Sequence, residues 1–400
     1  MKKYLIVFCS LLIASFNATA QQQYSKLWDK NGENWDKTKL PDFTTAGYHQ
    51  GNDPIPSYPE SINVLKAGAV NDGVTDNTQA FRKAIQQCGN KGTLFIPAGK
   101  YVLSDTLIIK KSGVCIKGAG PGKTILMFTK GLEELYPKFR RQTPWSWSGA
   151  MILFQGNISE SGIQDLTLHF PEDSLYRGHD FHERAYNGAG FSNGAHDSWL
   201  SNVTFVNADV GMWIEASAHH ITAQKWVLSF GPKRAAQDLS AHHGVNIYGG
   251  HNLLQDFEIK GRYVHDLSIE SATSVYNVFH RGKGFDLCID HHNHAQSHNL
   301  FTNLNAGLGK RLYHSGGNTA PLGIGFDDVF WGITADNYMK YINEWDDPRG
   351  KSARNIEVGI KTQEPSSFND ASGNWFETID PAKLSPVDLY EAQMKLKKKP

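Results

Sequence analysis

The sequence predicts an all-β chain wound as a right-handed parallel β-helix, with a capping helix near its N-terminal end and a helix at its C-terminal end. Three observations predict it. From about residue 103 to 335 short apolar strands recur, with glycine or asparagine between them. Their last apolar residues, Phe191, Ile214, Ile247, Ile269 and Ile289, are separated by 23, 33, 22 and 20 residues, and an insertion around Phe230 to Ala241 accounts for the long interval. Such a period marks a stacked coil with one turn per repeat. The leucine–asparagine signature of the rival leucine-rich repeat is missing.

The elements follow in order. Lys2 and Lys3 precede the apolar run Tyr4 to Phe16, and Ala18-Thr19-Ala20 follows it. Residues 1–20 therefore read as a secretory signal cut after Ala20, which implies a periplasmic or secreted protein. The run is short of the roughly 20 residues that a membrane span needs, and no later stretch is apolar enough to cross a membrane. Residues 21–61 are polar, carry Pro41, Pro54, Pro56 and Pro59, and read as an extended leader packed on a body. The body, 62–335, is the β-helix. Within it Asn77 to Cys88 places Ala80, Phe81, Ala84 and Ile85 on one face of a helix, and Gly92 to Tyr101 is a strand running into a tight turn. Residues 336–400 form an extension. Ser385 as N-cap and Pro386 in the first turn open a terminal helix through Leu389, Tyr390, Ala392, Met394 and Leu396, placed to cap the open end of the stack. The basic run Lys395 to Lys399 reads as solvated surface.

Composition narrows the partners. The 40 basic and 40 acidic side chains cancel, so no positive excess exists to neutralise a nucleic-acid backbone. An apolar share of 40% with 20% charged residues is that of a globular protein. Beyond the signal stand three cysteines, Cys88, Cys115 and Cys288, with no CxxC pair, and they read as small buried hydrophobes.

Alternation along the strands then assigns directions. With the aligned isoleucines pointing inward, their neighbours point out. The column after them reads Glu215, Tyr248, Glu270, Asp290, and the column before them Trp213, Asn246, Ser268, Cys288. Coils stack about 4.8 Å apart. His243 and His265 each stand four residues before an aligned isoleucine and are vertical neighbours, with Arg262 three residues before His265. This predicts a cluster of His243, His265, Tyr248 and Arg262, either functional or a hydrogen-bonded ladder. A second concentration runs Asp290-His291-His292-Asn293-His294, then His298, Lys310, Arg311 and His314. It reads either as the polar lining of a sugar groove or as a metal site, with zinc on the histidines or calcium on Glu270 and Asp290. The sequence fixes no cofactor. Trp145, Trp147, Trp199, Trp213, Trp226 and Trp331 lie in or beside the repeats, and one or two of them suit a sugar face. The polar stretch Tyr176 to Gly194, with His179, His182, Glu183 and Arg184, reads as a loop overhanging that face.

The segment Ala67 to Thr78, with Phe95-Ile96-Pro97-Ala98-Gly99-Lys100-Tyr101, resembles the opening of the pectate-lyase-like β-helix superfamily of polysaccharide lyases, hydrolases, epimerases and phage tailspikes. The resemblance implies the fold and an anionic polysaccharide or oligosaccharide partner such as pectin, alginate or ulvan. Of the polygalacturonase pattern only Asp327-Asp328 is present. Where the lyase pattern places lysine and arginine stand Glu270 and Asp290.

Three roles fit these residues. In β-elimination on a uronic acid, His243 or His265 is the base, Tyr248 the acid and Arg262 the carboxylate partner. Trp213, Glu270, Asp290, His291, His292, Lys310 and Arg311 then bind substrate. The leaving group is a sugar, giving chain cleavage, or water, giving an oligosaccharide dehydratase. In glycoside hydrolysis Glu270 and Asp290 are the paired carboxylates. The third role is a glycan-binding protein without turnover.

Overall fold

A computed structural model describes residues 21–136, 148–172, 184–233, 239–291, 297–314, 327–340, 354–362 and 374–398. The expected signal, residues 1–20, lies outside the described residues. Every strand pairing recorded between the named strands is parallel. Seven strands form one sheet: Leu107–Ile109, Ile152–Gln155, Asn187–Ser192, Val210–Ile214, Leu239–Ile247, Arg262–Ile269 and Ile289–Asp290. Eighteen form the other. It turns a corner within long strands: His196–Val206 pairs with His219–Gln224 at its start and with Val227–Ser229 at its end.

The inward files are those that periodicity predicts. Phe191, Ile214, Ile247 and Ile269 are in register and buried, and each contributes roughly 1.5–3 kcal/mol by leaving water. Aromatic files run beside them. Phe279, Phe301 and Phe330 stack at 4.9 and 5.2 Å. The helix Thr78–Gln87 buries Phe81, Ala84 and Ile85 against this core. Cys88, Cys115 and Cys288 are free and buried, as expected of small hydrophobes.

Three boundaries differ from the sequence reading. The ladder continues beyond residue 335, through Ile356–Ile360 and Trp375–Glu377. Asn187–Ser192, expected within an overhanging loop, is a strand, and 173–183 lie outside the described residues. The terminal helix runs Leu389–Lys397 and is capped by Asp388, which accepts from the Glu391 N–H, instead of by Ser385. It lies along the flank of the coils and not over their open end. The reason is apolar: Leu253, Val278, Leu300, Val329 and Ile356 form an outward file, which Leu389, Tyr390 and Met394 cover together with Phe43 and Ala46 of the leader. No helix among the described residues is long and apolar enough to cross a membrane.

Two polar ladders fix the turns. Asn252, Asn277, Asn299, Asp328, Asn355 and Asn374 each accept, through a side-chain oxygen, a backbone N–H from the preceding coil. Nearby, ring stacks join His196 to His219, His220 to His251, His251 to Tyr276 and Tyr276 to His298, all at 5.1–5.3 Å. Burial first, then the charges of His219 and His251, pushes His220 down to about 4. An unfolded histidine titrates near 6.5, so this group's stabilising contribution is complete above that pH and is lost as pH falls toward about 4. Thermal melts should therefore drop between pH 7 and 4. His220→Asn should flatten that drop, since asparagine tolerates the left-handed backbone (φ 56°) found there. An unchanged slope contradicts the assignment.

Candidate active site

The outer face of the seven-stranded sheet carries the site. In-register pairing sets Gly190, Trp213, Asn246, Ser268 and Asp290 in one file across adjacent coils. A neighbouring file is Val210, His243 and His265. Simple alternation would turn His243 inward, because Val245 points into the core. A break in the strand's phase prevents this. Gly211 and Gly244 lie against the inner Leu228, and a Cβ on Gly244 would fall 2.3 Å from the Asp266 carbonyl oxygen. Gly244 and Val245 thus both face inward, and His243 emerges on the outer side with Ser268.

There His243 Nδ1 lies 2.7 Å from Ser268 Oγ, and Ser268 Oγ donates to Asp290 Oδ2 at 3.2 Å. Glu270 Oε1 stands 3.6 Å from His243 Nδ1, and Asp290 Oδ2 3.4 Å from His265 Nδ1. The rings of His243 and His265 are 5.2 Å apart, and His242 packs on both. Beside this polar cluster Trp213, Ala150, Leu153 and Val210 form an apolar patch joined by Tyr248. Burial, then the Glu270 charge, raises the Tyr248 hydroxyl above its ordinary value, so it stays a proton donor. The buried Asn246 side chain lies against the Tyr248 hydroxyl, and the buried Trp213 indole N–H makes no hydrogen bond among the described residues.

The structure thus brings together His243, His265, Tyr248, Trp213, Glu270 and Asp290. It places elsewhere the other expected residues that are described. Asp290 itself stands in register with Ser268, because Ile289 pairs with Leu267 and not with Ile269. Arg262 faces Asp286, its Nε 3.6 Å from Oδ2. Arg311 is interior: Nη2 is 2.9 Å from Asp266 Oδ2, and it also donates to the carbonyls of Tyr263 and Asp286. Burial holds Asp266 up at about 6 even against this guanidinium. His291 is a core residue, 2.8 Å from the buried Asp328 and edge-on to Phe301 and Phe330. Asp328 is also a rung of the ladder at the turns, accepting from Asn299 N. Lys310 is exposed. Glu215 accepts from Ser217 Oγ and Asn193 N and so closes a turn. Trp199, Trp226 and Trp331 are fully buried. His292, Trp145, Trp147, His179, His182 and Glu183 lie outside the described residues. His242 and Ser268 were missed as site residues; the His242-His243 pair was the available signal.

Known proteins give a partial match. Residues 61–159 match the family described as rhamnogalacturonase A/epimerase, pectate lyase-like. Mannuronan C5-epimerase AlgE5 of Azotobacter vinelandii is 26% identical over 226 residues, 54% of this chain and 20% of its own length. Alginate lyase 7 of the same organism is 39% identical over 120 residues, 28% of this chain and 13% of its own length. Probable rhamnogalacturonase E of Aspergillus niger is 23% identical over 194 residues, 40% of this chain and 43% of its own length. The chain thus spans about a fifth of the length of the first of these relatives. A solved exopolygalacturonase of Yersinia enterocolitica superposes with a TM-score of 0.47 at 15% identity, over 76% of this chain and 70% of that one. The parallel coils and their register make this chain a right-handed parallel β-helix, and over residues 61–159 it is similar to the pectate-lyase-like family.

Proposed function

We propose that the chain is an exported carbohydrate-active lyase that performs β-elimination on a uronic-acid polysaccharide or oligosaccharide. The observation that carries this reading is the pairing of two histidines with two buried carboxylates on adjacent coils, beside a protonated tyrosine and a tryptophan. His265 is the base. Asp290 lies at its Nδ1, which suits an imidazole that must take up a proton. His243 has one nitrogen committed to Ser268 and positions the cluster. Tyr248 protonates the departing oxygen. The C–H bond beside the carboxylate breaks, its electron pair forms the new double bond, and the C–O bond to the leaving group breaks.

The names of the relatives support the same reacting carbon. A C5-epimerase inverts the centre next to the uronate carboxylate, and elimination removes the proton from that centre. Hydrolysis is the second reading, favoured by the rhamnogalacturonase names. Against it, ligand oxygens of Glu270 and Asp290 lie within 4.8 Å of one another on one wall. Opposed carboxylates of inverting enzymes stand about 6.5–9.5 Å apart and those of retaining ones about 5–5.5 Å. The test is incubation of the full chain with a panel of polyuronates and their oligosaccharides. A rise in the ultraviolet absorbance of unsaturated uronate is expected. New reducing ends without absorbance overturn the reading in favour of Glu270 and Asp290 as hydrolytic carboxylates.

A further inference from the structure

We infer that Ser268 is a positioning residue of this site: its one hydroxyl proton sets the tautomer of His243 and ties Asp290 in place beside the base. Ser268 is fully buried, and its hydroxyl meets His243 Nδ1 at 2.7 Å and Asp290 Oδ2 at 3.2 Å. A hydroxyl has one proton to give and two lone pairs to receive with, and an ionised carboxylate only accepts. The Ser268 proton therefore goes to Asp290, and the Ser268 oxygen accepts from His243. This requires the proton of the neutral His243 ring to sit on Nδ1, with the lone pair on Nε2.

Glu270 gives independent support. Its Oε1 stands 3.6 Å from the same Nδ1. A lone pair on that nitrogen would face a carboxylate oxygen, whereas a proton there is attracted to it. The same logic fixes His265, whose Nδ1 stands 3.4 Å from Asp290 Oδ2. Its proton sits on Nδ1, and Nε2 is left to take a proton from substrate. Which ring nitrogen of a histidine reacts is set by the bond that the other one makes. Register builds the junction. His243 pairs with His265 and Ser268 with Asp290 across adjacent strands, so one carboxylate oxygen receives Ser268 and faces His265. Resting on the elimination reading, Ser268 acts through these two partners. It holds Asp290 against the base while the imidazolium forms, and it holds His243 beside it in the same tautomer.

Nitrogen-15 nuclear magnetic resonance of the substrate-free full chain, labelled at histidine and assigned through the backbone, reads the tautomers directly. Long-range couplings should show a proton on Nδ1 of both His243 and His265. A His243 ring protonated only on Nε2 overturns the inference. Kinetics on a uronate substrate give the second readout. Ser268→Ala should lower kcat at least about tenfold with KM little changed, a smaller loss than the ~10²–10⁴-fold expected on removing the base itself. Ser268→Thr keeps the hydroxyl and should restore most of the rate. Circular dichroism confirms the fold of both variants. Full kcat in a folded Ser268→Ala, or no rescue by a folded Ser268→Thr, overturns the inference as well. Should the variants unfold, the tautomer in the parent still decides. Elimination by a chain whose His243 carries no proton on Nδ1 overturns this inference alone. A proton on His243 Nδ1 in a chain that eliminates from no uronate overturns the lyase reading alone.

Discussion

His265→Ala in the full chain is expected to lower turnover of a uronate substrate by about 10²–10⁴-fold. The imidazole stands against Asp290 and packs beside His243. Tyr248→Phe should lower turnover by a similar factor, because it removes only the hydroxyl that burial and Glu270 keep protonated. Both losses should fall on kcat, with melting temperature near that of the parent. Initial rates across substrate concentration give the answer. Activity within tenfold of the parent for His265→Ala removes it from the chemistry and leaves the histidine ladder as packing alone.

Asn277→Ala is expected to cost about 3–5 kcal/mol of stability, since each buried group left unpaired costs about 1–3 kcal/mol. Its side chain accepts from Asn252 N and Asn252 Nδ2, and donates to the Gly249 carbonyl and to Asn299 Oδ1. Alanine strands all of these inside the wall, at the second of the six rungs of a ladder that runs from Asn252 to Asn374. Urea unfolding, followed by circular dichroism, measures the change. A loss under about 1 kcal/mol would show that the ladder's rungs are replaceable by local rearrangement.

The inward files were legible because the isoleucine spacing counts coils directly. The same count places His243 beside His265, as their equal distance from Ile247 and Ile269 requires. It fails at Ile289. That strand is two residues long, and its entry is set by other bonds: Cys288 N is held by Asp266 Oδ2 and Ile289 N by the Leu312 carbonyl. Apolar spacing carries no information about either. The two-residue slip moves Asp290 beside Ser268, yet still within reach of His265. Arg262 and Arg311 were misplaced for a related reason. Alternation assigns a face but not a partner, and Asp266 and Asp286 claim both guanidiniums. The asparagine ladder escaped notice because its rungs are 25, 22, 29, 27 and 19 residues apart. Rungs sit at turns, where loop lengths vary, and only the folded coil aligns them. The terminal helix was legible as a helix. Its place on the flank was not, because the outward file it covers is spread over five coils.

The panel of polyuronates run in D₂O tests most directly whether this site removes the proton beside a uronate carboxylate. Product masses and proton spectra separate the outcomes in one sample. Elimination predicts products with a new carbon–carbon double bond, rising ultraviolet absorbance and no carbon-bound deuterium. Reducing ends that carry neither a double bond nor deuterium on carbon would contradict it, and would make Glu270 and Asp290 the reacting groups of a hydrolase.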